Sequence, residues 1–139
     1  MKALDVARHK INVTNIVIDI YKNSSLSEVL GFKGGTAAML FYKLPRFSVD
    51  LDFDLIPHYE ADSPELTLWR EKMTKLLSAK YEIKDQSQKY HTLFWLVSYG
   101  QGLTKIKIEI STRDVSHTHY HAASFYGVTV KVMDIRDMI

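Results

Sequence analysis

The chain contains no cysteine. Disulfides and thiolate-held metals are thereby excluded, and a reducing, cytoplasmic compartment is the natural expectation. Proline occurs three times and glycine six times among 139 residues. Neither clusters into a linker, so a single domain is expected. No apolar run approaches the ~18 residues that a membrane span needs. Met1 to Lys10 lacks the apolar stretch of a signal peptide. Repeats and low-complexity tracts are absent as well. Excess charge is small: the formal net charge is +2, which permits a nucleotide or nucleic-acid partner without requiring one. Apolar side chains are not scarce, at 46% with 12% aromatics. That supply suits one buried core and argues against disorder.

Apolar residues recur at helical spacing over 4–22, at Leu4, Ala7, Ile11, Ile16 and Ile20. The spacing predicts a helix ending in the polar cluster Asn23-Ser24-Ser25. Val29 to Lys33 reads as a short extended run before Gly34-Gly35, and Thr36 to Tyr42 as a helix stopped by Pro45. Ser48 to Leu55 alternates strictly, with Val49, Leu51, Phe53 and Leu55 on one face and Ser48, Asp50, Asp52 and Asp54 on the other. Ser63-Pro64 resembles an N-cap followed by first-turn proline. The helix it opens carries Leu66, Trp69, Met73, Leu76 and Leu77 on its inner face and runs to about Lys80. Strand-like runs follow at Tyr81–Ser87, His91–Tyr99, Leu103–Ser111 and Val128–Val132, with a turn at Gly100-Gln101-Gly102. Asp134 and Asp137 mark a helix start that stops at Ile139. The fold class expected is α/β, in the α+β sense: a mixed, mainly antiparallel sheet flanked by helices.

Alternation brings Asp50 and Asp52 together on one strand face. Adjacent carboxylates repel, and burying them unpaired is costly. A divalent cation relieves both penalties, since magnesium takes hard oxygen ligands and is held by one or two carboxylates plus substrate phosphates. The plainer alternative is the solvated face of an edge strand. Gly34-Gly35-Thr36 lies between a strand and a helix, where glycine lets backbone approach a phosphate and the helix N-terminus offers free N–H groups. An ordinary turn is the alternative there. Lys105, Lys107, Glu109 and Ser111 share one face of a further alternating run. If that strand lies beside Ser48–Leu55, Glu109 adds a third carboxylate and Lys105 or Lys107 can neutralise phosphate. A cross-strand ion pair with lysine is the other reading of Glu109. On this view Asp50, Asp52, Asp54 and Glu109 crowd one region, with Lys105, Lys107 and Arg46 as the nearby cations.

The stretch from Gly31 through Lys33-Gly34-Gly35-Thr36 to Arg46-Phe47-Ser48-Val49-Asp50-Leu51-Asp52-Phe53 resembles the AbiEii/AbiGii toxin family of nucleotidyltransferases, within the DNA polymerase beta superfamily. The superfamily uses a Gly-Gly or Gly-Ser turn opening a helix and then an Asp-x-Asp or Asp-x-Glu strand. The AbiEii branch adds an Arg-x-Ser/Thr pair, here Arg46 and Ser48. Fourteen residues between Gly35 and Asp50 match the branch spacing. Similarity is specific over 29–54 and looser around Lys107 to Ile110. The resemblance implies a polymerase-beta-like nucleotidyltransferase core over residues 1–139. Asp50, Asp52 and Glu109 would be its catalytic carboxylates and hold magnesium, or manganese in its place. Gly34, Gly35, Thr36, Arg46, Ser48 and Lys107 would contact the nucleotide; for Arg46 a structural ion pair is the equal alternative. It further implies transfer of an NMP from an NTP to a tRNA or protein acceptor, by the toxin of a toxin–antitoxin or phage-defence pair with a separate antitoxin protein. Relatives continue beyond Asp134 with a lysine-bearing helix and an Arg-Asp segment, so a shortened catalytic core is expected. A non-catalytic remnant that binds nucleotide or a partner is the rival reading.

His117, His119 and His121 would share a face if extended and could hold zinc or nickel, but their spacing matches no usual zinc pattern and an exposed loop is simpler. No nucleophile-elbow context surrounds Ser24, Ser48 or His91.

Overall fold

The computed structural model describes residues 3–45, 47–100 and 104–138. Its order is α1 (Ala3–Lys22), α2 (Ser24–Val29), β1 (Leu30–Lys33), α3 (Gly34–Tyr42), β2 (Leu51–Leu55), α4 (Pro64–Ser78), β3 (Glu82–Lys89), β4 (Thr92–Ser98), β5 (Lys105–Ser111), β6 (Tyr120–Phe125) and β7 (Val128–Met133). A single 3-10 turn, Ile135–Asp137, follows. The strands form one seven-stranded sheet in the order β3-β4-β5-β2-β1-β7-β6. Among the described residues, β1–β7 and β2–β5 run parallel and the other four pairs are antiparallel. This is the mixed, mainly antiparallel α/β sheet the sequence predicts.

One face of the sheet carries the core. Leu51, Phe53, Trp95, Val97, Ile106, Ile108 and Ile110 are buried from the central strands, and the Phe32 and Phe53 rings stack at 5.1 Å. Leu66, Met73 and Leu77 of α4 close over them, and the Trp95 indole N–H donates to the Thr74 hydroxyl at 2.9 Å. Among the described residues, no helix is long and apolar enough to cross a membrane.

Four local expectations differ from the structure. The inner face of α1 is His9, Val13, Ile16, Val17 and Ile20, whereas Ile11 is 60% exposed. Two apolar stripes run along this helix, and only the one that meets the sheet is covered. The Asn23 cluster both ends α1 and starts α2: the Asn23 side-chain oxygen accepts from the Ser25 and Leu26 N–H groups, the role that asparagine plays at an N-cap. The strand read over 48–55 begins at Leu51, because tertiary side-chain bonds hold the residues before it. Tyr120 and His121, read as loop, open β6 and pair with Met133 and Val132. The Gly100–Gly102 turn lies partly outside the described residues, as does Leu103.

The two stripes of α1 make contrasting predictions. Ile16→Ala should lower stability by about 2–5 kcal/mol, the range for truncating a buried isoleucine. Ile11→Ala should stay within about 0.5 kcal/mol. Urea unfolding midpoints of the two variants decide this, and equal losses would contradict the packing described here.

Candidate active site

Strand pairing brings the carboxylates together. Asp52 of β2 lies directly opposite Glu109 of the parallel neighbour β5, and Lys33 of β1 lies opposite Asp52 on the other side. Lys107, two residues before Glu109 and so on the same face, places its ammonium 3.1 Å from Glu109 and 3.9 Å from Asp50. Asp50, Asp52, Glu109 and Lys107 thus form one polar group on the open face of the sheet. Burial, then the charges of Glu109 and Asp50, push the Asp52 carboxyl above its ordinary range, against the pull of Lys33 and Lys107. The same carboxylates raise Lys107 and keep it charged, with the Glu109 hydrogen bond the largest cause.

Asp50 sits outside the strand ladder, and its position comes from two buried side chains. The fully buried Thr36 hydroxyl bonds the Asp50 carbonyl, and it lies 3.1 Å from the Ser48 hydroxyl. His9 is buried, with one ring nitrogen 2.9 Å from the Val49 carbonyl and the other 3.0 Å from the Tyr99 hydroxyl. The first turn of α3 and the middle of α1 therefore both grip the segment leading into Asp50. Thr36 reaches the site through this backbone contact and lies too deep to touch a ligand directly. His9 escapes a motif search. Its only sequence signal is its place in the stripe with Val13, Ile16 and Ile20.

Asp54 does not join the open cluster. It is 1% exposed, with the Lys33 ammonium 2.6 Å from one oxygen and the Tyr120 hydroxyl donating to the other. The Tyr120 ring fills the space where a side chain on Gly31 would stand. The expected crowd of four acidic groups is therefore three plus a neutralised fourth. A buried carboxylate needs a charge partner and hydrogen bonds, and Lys33 and Tyr120 supply both.

Gly34 is required for two reasons. Its φ is +83°, and a Cβ there would stand 2.7 Å from an Asp52 oxygen. The turn consequently abuts the aspartate. Lys33, at the N-cap of α3, makes no side-chain capping bond, and the first N–H groups of a helix suit an anion. A cleft of about 410 Å³ opens beside them, with Lys33, Gly34, Gly35, Ala38 and Leu44 on its wall. Arg46, expected at the nucleotide, lies outside the described residues. Among the described residues, no three histidine, aspartate or glutamate side chains enclose a metal position by themselves. The histidines separate: His119 pairs with Asp137 at 3.2 Å, and His121 with the Tyr42 hydroxyl at 2.8 Å.

Solved structures share this fold. A crystal structure described as a candidate nucleotidyltransferase from H. pylori matches with TM-score 0.61 and 21% identity over 99% of this chain and 57% of its own. JHP933 from Helicobacter pylori matches with TM-score 0.59 and 21% identity, covering 96% of this chain and 53% of its own. A Thermotoga maritima protein, also described as a candidate nucleotidyltransferase, gives 0.55 and 12%, over 91% and 80%. The chain spans just over half the length of the two Helicobacter proteins. No curated protein matches the sequence. Residues 18–139 match the family described as nucleotidyl transferase AbiEii toxin, type IV toxin–antitoxin system, and the chain belongs to that family.

Two outcomes follow from the geometry. Gly34→Ala should destabilise the fold by at least about 1–2 kcal/mol, the usual penalty of a left-handed non-glycine residue, with the Asp52 contact adding to it; chemical denaturation measures this. Asp52 has a folded-state pKa raised above its unfolded value, so its contribution favours folding at low pH and is lost as pH rises through the folded pKa. Without divalent ions, Asp52→Asn should therefore stabilise the protein at pH 7 and lose that advantage below pH ~3, where even an unperturbed aspartate is largely protonated. Melting curves at the two pH values test the sign.

Proposed function

We propose that the protein transfers a nucleoside monophosphate from an NTP to an acceptor and releases pyrophosphate. The observation that carries this reading is the register of β2 and β5, which sets Asp52 beside Glu109 with Asp50 tethered to the same lysine. Asp50, Asp52 and Glu109 would hold magnesium or manganese. All three offer hard oxygen donors, and the incomplete protein cage suits an ion that takes its remaining ligands from phosphates and water. Such an ion would neutralise charge developing on the phosphoryl oxygens.

The remaining roles fall to this chain's own groups. The N–H groups of Gly34 and Gly35 would meet the triphosphate at the start of α3. Lys107 would face the phosphates beside the carboxylates. Ser48 and Arg46 would complete the nucleotide contacts. Thr36 and His9 would act by fixing the backbone at Ser48 to Asp50. In the reaction, an acceptor oxygen bonds to the α-phosphorus as the bond to the bridging oxygen of the β-phosphate breaks. Pyrophosphate leaves, and the acceptor proton passes to a nearby carboxylate or to water. Membership in the AbiEii family supports a toxin role with a separate antitoxin protein, in a toxin–antitoxin or phage-defence pair, and tRNA or protein as the acceptor class.

A divalent ion that binds only the folded protein at a hundredfold excess over its dissociation constant adds about 2.7 kcal/mol of stability. Magnesium with NTP should raise the melting temperature by several degrees, and the double variant Asp50→Asn, Asp52→Asn should lose both this gain and the transfer of label from α-phosphate-labelled NTP. No shift in the unmutated protein would favour the remnant reading. An equal shift in the double variant would place the ion elsewhere.

A further inference from the structure

The sheet has two edges, and the chain treats them differently. β3 forms one edge and β6 the other. β3 carries Glu82, Lys84, Asp85 and Lys89, and its register shifts between Ile83 and Asp85. Charged side chains and a local irregularity are common means of keeping a strand edge from pairing with another chain. β6 has neither. Tyr120–Phe125 contains no lysine, arginine, aspartate, glutamate or proline, and its six residues pair with β7 in an unbroken register.

The turn of the β6–β7 hairpin decides where the free backbone groups point. Tyr126 and Gly127 have φ of +47° and +82°, the two left-handed residues of a two-residue hairpin loop. Phe125 and Val128 flank that loop and form a hydrogen-bonded pair, and such pairs alternate along an antiparallel ladder. Phe125, Ala123 and His121 therefore turn their N–H and C=O groups toward β7. Those of Tyr120, Ala122 and Ser124 point outward, and among the described residues no backbone group takes them. Ala122 and Ser124 are exposed. The hairpin is also lightly anchored. It joins the rest of the sheet through β1, where Phe32 and Val132 are the registered pair. A two-stranded ribbon is marginal by itself, and a third strand on its free side steadies it.

The side chains decide which strand fits. A foreign peptide added to a sheet edge is selected by pockets for alternate side chains. Ala122, Ala123 and Ser124 present no charge and little side chain to read. An identical strand meets no like charge there. Antiparallel pairing about a two-fold axis at Ala122 sets the outward groups in register: Ala122 faces its own counterpart, and Tyr120 of each copy faces Ser124 of the other.

We propose that β6 is a self-pairing edge, at which two copies of this chain join antiparallel so that two seven-stranded sheets become one. The same patch serves both copies, as a two-fold interface requires. One strand pair buries less area than a permanent dimer needs, so the association is weak and depends on concentration. It is independent of the chemistry assigned to the carboxylate site.

Sedimentation velocity of the purified chain, from micromolar to submillimolar concentration, should show monomer passing into dimer. Ala122→Pro removes the central outward N–H and leaves the β7 ladder whole, since an edge strand tolerates proline where the N–H faces away. Ala122→Lys sets like charges directly opposite each other. Each should raise the dissociation constant at least about tenfold, the loss of one or two hydrogen bonds. Lys84→Ala, on the other edge, should leave it unchanged. Amide hydrogen exchange at Tyr120, Ala122 and Ser124 should slow as the dimer fills. A chain that stays monomeric at the highest concentration overturns the proposal and leaves a foreign strand as the occupant of this edge. Dimerisation that persists unchanged in both folded Ala122 variants overturns it too, by placing the contact elsewhere. The exchange measurement uses the unmutated chain, so it decides even where a variant misfolds: a dimer whose three amides exchange as fast as in the monomer does not pair through β6.

Discussion

Repulsion between Asp50, Asp52 and Glu109 is the constraint to which most of the site responds. The three are brought side by side by a parallel strand pair and by a segment with no ladder of its own. Asp52 feels it most, since it is partly desolvated and flanked by the other two. Lys107 offsets part of the repulsion by lying between Asp50 and Glu109, and Lys33 offsets more from the β1 side. A cation that bound only the folded chain would recover the stability given up here.

The core opposite this face makes the strain tolerable. Phe32, Phe53, Trp95 and the isoleucines of β5 are buried beneath α1 and α4, so the strands bearing the carboxylates cannot shift apart to relieve the repulsion. Close packing leaves little room for such relaxation. Thr36 and His9 extend the restraint to the one segment that the sheet does not hold. Each is a polar side chain in a buried place, and each is satisfied by a carbonyl just before or at Asp50. Asp54 shows the contrasting solution two residues on, where a carboxylate turned into the protein receives its own lysine and tyrosine.

Much of this was legible in the chain itself. The period of two over Lys105–Ser111 placed Glu109 and Lys107 on one face, and the Gly-Gly turn before a helix located the start of α3, which lies against Asp52. The motif from Lys33 to Asp52 carried the family, because its glycines and aspartates are demanded locally, by close approach and by charge. Alternation over 48–55 was right for Leu51 to Leu55 and wrong upstream. It likewise misread Asp54 as open, since a face defined by alternation is not the same as a face exposed to water.

What the sequence by itself determined were properties set by near neighbours: the helix and strand periods, the uncapped glycine turn, and the shared face of Glu109 with Lys107. Only the tertiary structure decided which strands lie side by side, and therefore that Asp52 meets Glu109, that Tyr120 reaches Asp54 from a strand 66 positions away, and that His9 grips Val49 from the first helix. Local sequence limits each residue to a face of its own element. The choice of neighbour depends on burying all the apolar faces together, and that is a property of the whole chain.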